Sequence, residues 1–358
     1  MAENKQRLLS LDILRGITVA GMILVNNGYG ESFEMLQHVE WNGMTPCDLV
    51  FPFFLFIMGV STYLSLSKYQ FRMTGEVLRK IARRTLLLFL IGLFINWFDL
   101  AIEGDVNCFG HLRVWAVLQR IALCYGISSL LALVLNHRYV LPVSAALLVA
   151  YAFILWLGNG YAQDPSNVLA RVDTWLFGTE HLYHKSAVDP EGLLGTIPSV
   201  AHTMLGFYLG MLLKKAKTVD AKVMNVLLMG AVLVLAGYLL SFLLPLNKRI
   251  WSPSYVLMTC GLASLLQGVL MYVIDIRGKK GWCGFFHVFG VNPLFLYVSS
   301  EVLAIVLNNF GVSEWVFNGI HGVILHPQWA SLAYAIYFVL LNFLLGYILY
   351  KRKIYVKL

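Results

Sequence analysis

The chain has 358 residues, 59% hydrophobic and 13% charged, with a net charge of +8 and a mean hydropathy of +0.71. Soluble domains carry about 25% charge and 45–50% apolar residues, so a soluble two-domain protein is all but excluded. Intrinsic disorder is excluded too, because it needs low hydrophobicity and high net charge. What remains is an all-α polytopic membrane protein, and at roughly 20 apolar residues per span the length allows about ten.

Ten apolar runs are predicted as spans: 8–26, 48–66, 84–101, 114–135, 139–157, 192–213, 224–243, 254–274, 284–308 and 329–350. The first follows Lys5 and Arg7 and resembles a signal peptide, with Ile17–Val25 as its apolar core. Asp12 and Arg15 interrupt that core and no small-x-small cleavage site follows, so a retained transmembrane helix is expected. Asp12 and Arg15 are three residues apart and share a helix face. Two readings of them stay open: an interfacial ion pair with Arg15 snorkelling, or a functional pair.

The connection 27–47 is rich in glycine, tryptophan and polar residues and runs straight into the second span. It places His38, Trp41, Asn42 and Asp48 within eleven residues, beside Glu40. A neutral histidine can take a proton near pH 7. Asn26 and Asn27, at the end of the first helix, are candidate donors to a developing oxyanion. Asp48 can equally be a simple helix cap.

The connection 67–84 carries Lys68, Arg72, Arg79, Lys80, Arg83 and Arg84. Arg120 falls within the fourth span, where an ionisable residue is a functional candidate by default. The long connection 159–191 holds His181, His184 and several acids, and is expected to form a lid or cover. The five cysteines have no metal-ligand spacing, and no metal is expected. Cys47 and Cys108 fall on the same side, so a disulfide is open, with the unpaired state favoured.

With the N-terminus placed inside, 20 of the 27 Lys and Arg residues lie on the inner side, against 5 outside (Arg113, Arg171, Lys185, Lys248, Arg249). The positive-inside bias predicts N-in/C-in. The basicity therefore faces anionic lipid headgroups rather than nucleic acid. A sugar transporter or a non-catalytic sugar-binding membrane protein is the competing class, but transporters often show matched halves. Here the polar segment in the first fifth of the chain has no counterpart.

Several segments resemble the heparan-α-glucosaminide N-acetyltransferase family. They are Leu11-Asp12-Ile13-Leu14-Arg15-Gly16, the stretch His38-Val-Glu-Trp-Asn-Gly-Met-Thr-Pro-Cys-Asp48-Leu-Val-Phe-Pro52, Val117-Leu-Gln-Arg120-Ile-Ala122, Gly192 to Ser199 and Gly290 to Tyr297. The second matches the family's His-x-x-Trp-Asn-Gly-x-Thr-x-x-Asp-Leu-Val-x-Pro segment. The first is also similar to the broader transmembrane acyltransferases.

The resemblance covers nearly the whole chain and implies one transmembrane acyltransferase domain over 1–358. It implies transfer of an acetyl group from cytosolic acetyl-CoA to the amine of a glucosamine-type sugar or glycan on the outer face. It makes His38 the catalytic histidine, with Asp48 and Asn26 (favoured over Asn27) as further catalytic residues. Asn27, Glu40, Trp41 and Asn42 are the expected acceptor contacts. Arg15, Arg120, Arg72, Arg79, Lys80, Arg83 and Arg84 are the expected contacts of acetyl-CoA. The absence of the lysosomal enzyme's lumenal extension leads to an expected bacterial inner-membrane location, with the catalytic loop facing the periplasm. The resemblance also implies a homodimer. Two chemistries stay open: His38 as general base, which is preferred, or His38 as acetyl carrier.

Overall fold

The computed structural model describes residues 8–183 and 186–356, so Lys5, Arg7, His184, Lys185 and Lys357 lie outside the described residues. Among those described, the chain is helical throughout, with no strand. In order the helices are α1 (Leu9–Asn26), α2 (Val50–Leu66), α3 (Gly75–Ile102), α4 (Val117–Val134), α5 (Val140–Leu157), α6 (Val168–Phe177) and α7 (Thr196–Lys215). They continue with α8 (Val219–Ser241), α9 (Pro253–Leu270), α10 (Cys283–Val291), α11 (Pro293–Asn309), α12 (Val312–His321) and α13 (Pro327–Lys351). Nine of the helical stretches are long and apolar enough to cross a membrane, or ten if the bent pair α10–α11 counts as one span.

The helix starts follow local chemistry. The side chains of Thr74, Asn167, Thr218 and Ser252 accept a backbone N–H from the first turns of α3, α6, α8 and α9, as N-caps do. Proline opens α9, α11 and α13, where its missing N–H is harmless.

Three sequence expectations change. The cap at Thr74 starts α3 at Gly75, so Arg79, Lys80, Arg83 and Arg84 sit on the opening turns of a helix rather than in a loop. Charged residues hide a helix start from an apolar window but do not prevent the helix. The run 284–308 is not one straight span: it breaks at Asn292 with a bend of 85°. Pro293 pushes the preceding residue out of the helical region, and Asn292 sits at φ −124°, ψ 52°. Its buried amide is recovered by the chain end, donating to the Ile354 carbonyl (2.9 Å) and accepting from the Val356 N–H (2.9 Å). Finally, the connection 159–191 contains α6, and α12 is a short helix between α11 and α13 that the apolar runs do not predict.

The core depends on helices that approach closely at glycine. In the α2–α7 pair, a Cβ on Gly59 would lie 2.0 Å from the Thr203 carbonyl oxygen, and one on Gly206 would lie 2.1 Å from that of Phe56. In the α1–α10 pair, Gly16 meets the Phe286 carbonyl and Gly290 meets that of Asp12 in the same way. Small residues at such crossings let backbones pack where apolar side chains gain nothing over lipid. Gly59→Leu and Gly206→Leu should each destabilise the protein by about 1–3 kcal/mol or more, seen as a lower thermal midpoint in detergent. Gly75→Ala, whose new Cβ meets nothing within 4 Å, should leave the midpoint unchanged.

Candidate functional site

The chain order sets the two ends of the bundle. α1 finishes, α2 begins and α9 begins at one end, which also carries the connections 27–49, 158–195 and 242–252. The start of α3 lies at the other.

At the first end, residues 45–49 turn into α2 through a short 3-10 helix, and the Asp48 side chain reaches back to residue 45. Its Oδ2 accepts the Thr45 N–H (3.1 Å), the Thr45 hydroxyl (3.1 Å) and the Val39 N–H (3.3 Å). This is the backward reach of a capping box. Its Oδ1 lies 2.8 Å from His38 Nδ1 and 3.2 Å from Lys248 Nζ. The Tyr255 hydroxyl donates to the Asp48 backbone carbonyl at 2.5 Å. Asp48 is buried and His38 is half-exposed.

Asp48 is thus the expected cap and also the partner of His38. An ionised carboxylate only accepts hydrogen bonds, so its bond to Nδ1 assigns the ring proton there. The assignment comes from the hydrogen-bond network. Nε2 is left with its lone pair, the state a general base needs. The Cys47 thiol packs 3.1 Å from Nδ1. Cys47 and Cys108 are both buried and unpaired.

Lys248 is the member that sequence reasoning missed. It counts there only as an outer cation, on a connection 210 residues from His38. The one signal is a Lys-Arg pair in a largely apolar connection. Its Nζ lies 2.9 Å from His38 Nδ1 and 3.3 Å from Nε2.

The other expected acceptor residues mostly join loops together. The Trp41 indole N–H donates to the Tyr161 carbonyl (2.9 Å), and its ring packs on the apolar cluster of Tyr151, Leu155, Leu169, Val188 and Ile250. Asn42 Oδ1 accepts from Asn247 Nδ2 (3.2 Å), and the Gly43 N–H donates to the Leu246 carbonyl (2.7 Å). Glu40 is exposed. Asn26 Nδ2 lies 3.5 Å from Glu301 Oε1 on α11, and Asn27 caps its own helix through the Ile23 carbonyl (2.8 Å). No hydrogen bond joins Asn26 to His38.

The cations expected at the donor divide into three groups. Arg72, Arg79, Arg83 and Arg84 are exposed around the start of α3, with Arg84 4.5 Å above the Tyr125 ring. Lys80 is bonded to Glu76 (2.6 Å) and Tyr69 (2.8 Å). Arg15 lies between α1, α2 and α10, bonded to Asp12 (2.9 Å), Ser61 (2.8 Å) and the Gly290 carbonyl (3.3 Å). Arg120 is fully buried one turn into α4 and donates to the Gly192 carbonyl (2.5 Å) and Ser199 Oγ (3.4 Å). Its guanidinium sits 5.5 Å from the Trp251 ring centroid. It fastens the entry to α7 at the same end as His38. Among the described residues no group of three or more His, Cys, Asp or Glu is placed to hold a metal.

The cover over this end is charged as well as apolar. Arg113 bonds Asp189 (2.9 Å) and Glu191 (2.8 Å) and lies over the Tyr183 ring. Asp173 on α6 is buried and accepts the Leu193 N–H (2.9 Å). Burial pushes its carboxyl up to about 6, aided by the Asp189 charge and opposed by the Leu193 N–H and Arg120. Its folded value exceeds the unfolded one, so the folded state binds more protons and stability falls as pH rises from about 4 to about 6. Asp173→Asn removes that loss. The thermal midpoint of the variant relative to wild type should rise across this window, by an amount equivalent to about 3 kcal/mol at pH 7.

The family model described as "Heparan-alpha-glucosaminide N-acetyltransferase, catalytic" matches residues 7–244. A human heparan-alpha-glucosaminide N-acetyltransferase is 31% identical over 98% of this chain and 60% of its own length. A mouse protein of the same name is 28% identical over 99% of this chain and 61% of its own length. The chain therefore spans about three fifths of the length of these curated relatives.

Proposed function

Because this chain belongs to the heparan-α-glucosaminide N-acetyltransferase catalytic family, we propose that it is an integral membrane N-acetyltransferase. In this reading it moves an acetyl group from acetyl-CoA, bound from the cytosolic side, to the amine of a glucosamine-type sugar on the other side. The observation that carries the reading is the 2.8 Å contact between His38 Nδ1 and buried Asp48. An acid that holds one ring nitrogen and leaves the other as a base is the arrangement acyl transfer uses.

The acceptor amine attacks the thioester carbonyl carbon, forming the C–N bond while the carbonyl π pair moves onto oxygen. His38 Nε2 takes the proton from the attacking nitrogen. Collapse restores the carbonyl, breaks the C–S bond and releases the thiolate, which takes the proton back from Nε2. The direct route is preferred to an acetyl-histidine intermediate, because one acyl site reached from both faces needs no separate release step. Exposed Arg72, Arg79 and Arg83 at the far end suit the anionic phosphates of the donor. Arg15, further along the same path, suits its polar arm. Arg120 acts in this scheme by holding the Gly192–Ser199 segment beneath the cover. The acceptor enters from the His38 side, in a bacterial inner membrane the periplasmic one, with Glu40 exposed to meet it. A homodimer follows from the family resemblance.

His38→Ala should abolish transfer to glucosamine while leaving acetyl-CoA affinity, measured by isothermal titration, within about threefold of wild type, since no binding contact is removed. Retained transfer in His38→Ala would remove the assignment. Mass spectrometry of wild type incubated with acetyl-CoA alone should show unmodified His38, and an acetylated ring would favour the two-step route.

A further inference from the structure

We propose that Lys248 is a second catalytic group of this site, its ammonium standing where negative charge develops on the thioester oxygen. The inference rests on the reading of His38 as the base and goes beyond it, because nothing in the resemblance assigns a role to this residue.

Geometry carries the argument. Lys248 Nζ lies 3.3 Å from His38 Nε2, the atom that receives the proton. An amine nitrogen bonded to Nε2 stands about 3 Å from it. In the adduct the carbonyl oxygen is two bonds from that nitrogen, so it falls within hydrogen-bond reach of an ammonium already beside Nε2. An ammonium has three donors, and the contact with Asp48 Oδ1 uses one. The sequence-level candidate for this role, Asn26, has its amide turned to Glu301.

The chain holds Lys248 as a preorganised group must be held. It opens a tight turn in which the Trp251 N–H donates to the Lys248 carbonyl (3.1 Å). Buried Asn247 closes the turn from both sides: its side chain accepts the Ile250 N–H (3.1 Å), and its own N–H donates to Ser252 Oγ (3.0 Å). Trp251 sits at φ +53°, a region bulky residues rarely adopt. Such strain persists only where the surroundings over-determine it. The Trp251 ring is fixed between Phe51 (5.1 Å), Tyr255 (5.4 Å) and His202 (6.0 Å). The turn thus fixes the backbone that carries the ammonium, and its ion pair with Asp48 Oδ1 (3.2 Å) sets its reach.

The balance of charge gives the same role. During attack the positive charge on the amine passes to His38 with the proton, and the oxygen gains one negative charge. Lys248 keeps its charge throughout, so it stabilises the oxyanion.

The test uses the full-length protein in detergent with acetyl-CoA and glucosamine. Lys248→Met should lower kcat about 100-fold, the usual loss of one oxyanion donor, with both KM values changed less than about threefold. Lys248→Arg should keep about a tenth of wild-type kcat or more, since it keeps the charge with altered reach. Lys248→Cys should be as impaired as Lys248→Met and regain activity on alkylation with 2-bromoethylamine, which rebuilds an ammonium of the same length. The native cysteines are buried, and wild type treated alike is the control. That recovery also shows that the variant is folded. Lys248→Met with wild-type kcat beside an inactive His38→Ala would overturn the inference and leave the base intact. So would a rise in KM alone, or Lys248→Cys activity that alkylation fails to raise. Activity in His38→Ala would overturn both.

Discussion

One buried carboxylate organises the functional end of this molecule. Asp48 sits at the first turn of a membrane-spanning helix, where an unpaired charge would destabilise the fold by several kcal/mol. Its two oxygens and its carbonyl take hydrogen bonds or charge from His38, Val39, Thr45, Lys248 and Tyr255. These partners come from three separate stretches of chain. Satisfying the charge brings together the connection 27–47 and the turn after α8, and the Tyr255 bond to the Asp48 carbonyl adds the start of α9. The proposed base is oriented as a by-product of a requirement that folding must meet anyway.

The rest of that end serves the same constraint at one remove. Trp41, Asn42 and Gly43 fasten the His38 connection to the two neighbouring ones through backbone and amide bonds. Arg120, itself fully buried, holds the Gly192 carbonyl under the cover. Both Trp41 and Arg120 thus help to position the loops around the site.

The bundle is chemically polarised along its axis. The start of α3 displays exposed guanidinium groups, while the opposite end concentrates His38, Asp48, Lys248 and the acids of the cover. Glycine crossings between α1 and α10 and between α2 and α7 hold the helices close, so Arg15 on α1 can bond the Gly290 carbonyl of α10. The proposed function uses both ends, with the anionic part of the donor at one and the acceptor amine at the other.

Much of this was legible in sequence, for local reasons. Hydropathy is a property of each segment, so the apolar runs located the spans. His38 and Asp48 are ten residues apart on a connection that leads directly into a helix, so their pairing needed only a tight turn and a cap. What sequence did not reveal was non-local. Hydropathy is blind to direction, so it drew one span where Pro293 imposes a bend, and charge concealed the start of α3 despite the cap at Thr74. Lys248 looked like an ordinary outer cation until the α8–α9 turn brought it to His38. Asn26, the donor expected from sequence, ends α1 beside Glu301 on α11, a neighbour that hydropathy gave no reason to expect. The sequence by itself determined which segments are apolar enough to cross a bilayer and put an acid within ten residues of the histidine. Tertiary structure decided which cation stands beside that histidine, because the buried charge of Asp48 selects its partners in space and not along the chain.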